Sequence, residues 1–145
     1  MNLERFVIYA SALFFVVYGL AFSILPVTMA LLVTGSEPQG VSHLVDFRAT
    51  YGGMTLAVGL SLLYLNAIQQ ARACLVLVVI VLMSMAVTRT VGLLVHGSGN
   101  FLMYLYLALE ILGSVLAFIA MAQRPTESTD PRPDSHTVPA TGVDQ

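Results

Sequence analysis

Three ionisable residues lie inside, or at the ends of, long apolar stretches: Arg48, Arg89 and Glu110. An arginine does not shed its proton in a protein, so within lipid it needs a carboxylate or carbonyl partner. A guanidinium facing a carboxylate makes either a fixed ion pair or one half of a site for a polar ligand head. Asp46 stands two residues before Arg48, and Tyr51 and Tyr106 can add hydrogen bonds nearby. Tyrosines at these positions also suit an interfacial belt. Two arginines against one glutamate leave a surplus positive charge unless Asp46 joins them, and that surplus favours an anionic ligand. His43 and Asp46, three residues apart, are too few to hold a metal, and His96 beside a glycine turn reads as a loop residue. Cys74 is the single cysteine, which excludes an intramolecular disulfide and a multi-cysteine metal site. There is no nucleophile elbow, phosphate loop, metalloprotease histidine pair or redox cysteine pair, so no catalytic residue, metal or cofactor is assigned.

The elements that must carry these charges are membrane helices. Of 145 residues, 57% are hydrophobic and 10% charged, with no lysine and no tryptophan. A soluble domain carries about 25% charged residues, so the deficit points to lipid as solvent. A net charge of −2 without a basic block excludes nucleic acid as a partner. Apolar runs predict helices over about 6–25, 46–65, 73–95 and 101–121, each near the roughly 20 residues needed to cross a bilayer core. The first run is longer than the apolar region of a cleaved signal, so an uncleaved helix is expected there. Pro26 should kink it, with 27–33 continuing the helix or lying along the interface. The stretch 34–45 reads as the longest polar connection, 66–72 and 96–100 as short turns, and 124–145 as a disordered cytoplasmic tail rich in proline and acids.

The expected fold is all-α: a four-helix transmembrane up-down bundle over 1–123. Arg5, Arg72, Arg124 and Arg132 fall on one side of four spans, which places both termini in the cytoplasm of a bacterial inner membrane. That order puts Arg48, Arg89 and Glu110 in the outer half of the bundle. At about 100° per residue, Arg48, Gly52, Thr55, Gly59 and Asn66 share a line on one helix. The small residues Gly52, Gly53 and Gly59 then serve helix packing, as do Gly92 and Gly113.

Asp46-Phe-Arg-Ala-Thr-Tyr-Gly-Gly53, an arginine and glycine late in the third helix and a glutamate in the fourth resemble a bacterial family of small four-helix membrane proteins of unknown function. The arrangement is also similar, more distantly, to DoxX-type four-helix proteins, some linked to quinone-dependent oxidation and others to membrane-protein assembly. That resemblance implies the fold and transfers no activity. Two functional readings follow. In one, the chain is a non-enzymatic binding or assembly subunit, meeting the bilayer, a membrane-protein partner or a second copy of itself, with the charges fixing helix register. In the other, it is a small carrier or redox-enzyme subunit that holds an anionic or quinone-like ligand at the cluster.

Overall fold

The computed structural model describes residues 2–123, and these are helical with short connections. Helix α1 spans Leu3–Ile24 and α2 spans Pro26–Thr34. Next come α3 (Gly40–Phe47), a π-helical segment (Arg48–Met54) and α4 (Thr55–Ala67), with no break in the helical backbone between them. Helices α5 (Ala71–His96) and α6 (Phe101–Ala122) complete the described chain. The tail expected to be disordered, 124–145, lies outside the described residues.

Three helices are long and apolar enough to cross a membrane: α1, α5 and α6. The expected second span is present as helix but is not uniform. It starts earlier than the sequence indicated, at Gly40, so the polar connection shrinks to 35–39. Phe47, at the end of α3, stacks its ring on Tyr51 at 4.9 Å and on Phe22 of α1 at 6.3 Å.

Local sequence sets the other boundaries. Leu25, before a proline, has φ −122° and ψ 54° and breaks the helix; Pro26 then starts α2, where its missing N–H costs nothing. Gly35 closes α2 in the left-handed region, φ 78°, donating its N–H to Leu31 O at 2.9 Å. Asn100 opens α6: its Oδ1 accepts the Met103 N–H at 3.1 Å. Its Nδ2 donates to Val33 O at 2.9 Å and clamps the end of α2 to the start of α6.

Helix α1 lies antiparallel to the α3–α4 rod, as the register of their contacts shows. A Cβ on Gly52 would meet Ser23, one on Gly59 would meet Val16 and Ala12, and one on Gly19 would meet the Leu56 backbone at 2.5 Å. Asn66 extends the seam by donating to Tyr9 Oη at 3.1 Å. Small residues let the two backbones approach to this distance where lipid supplies no hydrophobic drive. Gly53 does not take part, since its Cβ direction meets only the Arg48 carbonyl at 3.9 Å. Helices α5 and α6 form a second antiparallel pair, in which Gly113 admits Leu82. The core between the pairs is built from Ile8, Phe15, Leu62, Leu75, Val78 and Ala117. Cys74 is buried there, its Sγ 3.5 Å from Leu62 O, in keeping with an inert thiol.

Candidate functional site: an ion pair on a cavity wall

Arg89 on α5 and Glu110 on α6 face each other because the two helices are antiparallel and joined by a four-residue turn, 97–100. Arg89 lies seven residues before His96, about 10 Å from that end of its helix, and Glu110 lies nine residues after Phe101, about 13 Å along its own. Side chains at matching depth on adjacent antiparallel helices can meet. The guanidinium grips the carboxylate with its fork: Nη2 donates to Oε1 at 2.7 Å and Nε to Oε2 at 3.1 Å. The third nitrogen, Nη1, is 3.2 Å from Met103 Sδ, a weak acceptor. The cation sits over Tyr106, Cζ 5.4 Å from the ring centroid. Glu110 is the buried partner at 5% exposure. Its backbone carbonyl accepts the Ser114 hydroxyl at 2.8 Å.

The pair forms part of the wall of a cavity of about 800 Å³ lined by α1, the end of α2, the α3–α4 rod, α5 and α6. This volume falls in the range of about 300–1,000 Å³ typical of small-molecule sites. Leu82 and His96 both line it, so it extends about 21 Å along α5 at the helical rise. Leu82 and Gly113 form one end; Thr34, Gly97 and Ser98 form the other. Most of the lining between them is apolar or aromatic. Gly92 faces open space, with no atom within 4 Å of where a Cβ would lie.

Aromatic rings tie this wall together. Phe14, Tyr18 and Phe22 recur every four residues on one face of α1. Phe14 stacks on Tyr18 at 5.5 Å, Tyr18 packs on Phe22 at 4.9 Å, and Phe22 stacks on Tyr51 at 5.3 Å. Tyr18 also meets Tyr106 edge-on at 6.2 Å, and Tyr106 in turn carries Arg89. The series reaches from the guanidinium to the π-helical segment.

Of the residues singled out in the sequence, the fold brings Arg89, Glu110 and Tyr106 together and sets Tyr51 on the same cavity. It leaves Asp46 and Arg48 apart. Both are exposed; Asp46 accepts the Thr50 hydroxyl at 3.2 Å, and Arg48 makes no ion pair or hydrogen bond among the described residues. The cause is the π-helical segment that begins at Arg48. Each π turn holds more residues than an α turn, so residues before it rotate relative to those after it. Arg48 therefore leaves the line that an unbroken α-helix would give it, while Gly52 and Gly59 meet α1. The cluster is one arginine to one glutamate, and the surplus cation is not part of it. Gly92 likewise proves to be cavity wall and not a helix contact. No group of three metal-ligating side chains occurs among the described residues.

Residues 3–121 match the family model described as Domain of unknown function (DUF4345). The chain belongs to that family. The DUF4345 segment includes the whole of α1 to α5 and all of α6 but its last residue, so both the ion pair and the cavity lie within it. No curated protein and no solved structure matches the chain. The likeness to DoxX-type proteins gains no support from these comparisons. Sequence reading assigned Gly92 a packing role and did not single out Tyr18. Only the i, i+4, i+8 spacing of Phe14, Tyr18 and Phe22 carried a signal, an aromatic face on α1.

Proposed function

We propose that this DUF4345 protein is a non-enzymatic, four-span membrane protein that binds an elongated amphipathic molecule in the cavity, with the ligand's polar group beside Arg89 and Glu110. The single observation that carries the reading is the position of the ion pair. A staple needed only to fix helix register would be closed on all sides by apolar side chains. Here the Arg89 side chain keeps 19% exposure and lines about 800 Å³ of space whose wall is mostly apolar and aromatic. The fourth span in this reading is the α3–α4 rod, whose 28 helical residues, 40–67, are long enough to cross a bilayer core with tilt. Both termini lie in the cytoplasm of a bacterial inner membrane, by the arginine asymmetry. A membrane-protein partner or a second copy of the chain would dock on the exposed apolar flanks. The anionic ligand considered from sequence loses its charge argument, since Arg48 stands elsewhere.

Gly92 supplies the test, because it faces the cavity without touching the pair. Gly92→Phe should fill the space, and lipid extracts from the purified protein should lose any molecule that the unaltered protein retains. Gly92→Ala should keep it. Equal retention by the unaltered protein and Gly92→Phe would place the ligand outside the cavity.

A further inference from the structure

We infer that the cavity selects a neutral single-chain amphipath whose head offers carbonyl or hydroxyl oxygens, and that Glu110 excludes anionic analogues. The inference rests on the binding role proposed above and adds the chemistry of the ligand head. Arg89 is the one arginine and Glu110 the one carboxylate among the cavity-lining residues, and their charges cancel; His96 lies at the loop end of the cavity, away from the pair. A guanidinium has five N–H donors. Glu110 takes those of Nε and one of Nη2, and one of Nη1 points to Met103 Sδ, which leaves one donor on each Nη nitrogen. Two unused donors in an apolar space suit a neutral acceptor, which satisfies them and brings no charge out of water.

A phosphate or carboxylate meets a different balance. To reach the same two donors it must come close to the Glu110 carboxylate, because both would share one guanidinium. In a low-dielectric site the like-charge repulsion removes what the cation offers. Tyr106, stacked on the cation, adds no second positive charge. The cavity volume and its length of about 21 Å fit one acyl chain with a small head, and not a two-chain bilayer lipid.

Competition between 1-oleoylglycerol and 1-oleoylglycerol 3-phosphate tests this directly, because the two differ only in charged phosphate. With tritium-labelled forms and the purified full-length protein, the neutral compound should bind at least roughly tenfold more tightly. Glu110→Gln leaves Arg89 uncompensated, and the preference should fall to parity or reverse. Gly92→Arg places a second cation on the open wall and should shift the preference the same way, which covers the case that Glu110→Gln does not fold. Preference for the phosphate by the unaltered protein would overturn the inference, and so would a preference that neither substitution moves. Gly92→Phe separates the two levels. If it abolishes binding of both compounds, the cavity is the site whatever its selectivity; if it abolishes neither, the cavity reading falls and this inference with it.

Discussion

Glu110 and Arg89 each carry a cost that neither meets alone. A charged side chain at a helix centre costs about 2.5–3.5 kcal/mol to insert, and the bidentate geometry removes much of that for both. Glu110→Gln should therefore strand Arg89. Losses of about 3–5 kcal/mol follow such a change in soluble proteins, but polar contacts in membranes are usually weaker, so about 1–2 kcal/mol is expected here. Adding Arg89→Gln should recover much of it, read as the coupling energy in a double-mutant cycle of reversible unfolding in detergent. Strict additivity would show that the groups do not interact. Arg48→Gln should change stability by less than about 0.5 kcal/mol, because Arg48 is exposed and holds no partner among the described residues.

Asn100 shows how one side chain can define two elements. Its carbonyl oxygen caps α6, and its amide donates to the end of α2, which forms part of the cavity's loop end. The two roles separate by chemistry. Asn100→Asp keeps an acceptor for the Met103 N–H and loses the donor to Val33 O, whereas Asn100→Ala loses both. Hydrogen exchange in α2 should quicken in both variants, while the first turn of α6 should loosen only in Asn100→Ala, which forfeits a cap of about 1 kcal/mol. Unchanged exchange in α2 would mean that the clamp does not hold it. The π-helical segment belongs with these devices. It keeps Tyr51 on Phe22 and turns Arg48 out, so it decides which charges meet.

The molecule as a whole is two antiparallel helix pairs: α1 with the α3–α4 rod, and α5 with α6. Whether the rod crosses the bilayer is tested by position. Alkaline phosphatase inserted within 35–39 or 97–99 should be active, and inserted within 68–70 or fused after Arg124 it should be inactive. Activity at both 35–39 and 68–70 would mean that the rod does not cross. A wholly inverted pattern would reverse the orientation drawn from Arg5 and Arg72 and leave the four spans intact.

Composition and apolar run length by themselves determined the helical class and the limits of α1, α5 and α6 to within a few residues, because bilayer thickness and backbone satisfaction leave so little choice to helices of membrane-crossing length. The pairing of Arg89 with Glu110 was legible too, since span order and helical rise bring them to one depth. Three features needed the tertiary structure. The departure of Arg48 depends on a π-helical register that no local periodicity announces. The different fates of Gly52, Gly53, Gly59 and Gly92 depend on which backbone lies opposite each, and a glycine has no side chain to declare a face. The cavity is a volume that the packed helices leave unfilled. It follows from how side chains far apart in sequence fail to meet, which only their packing decides.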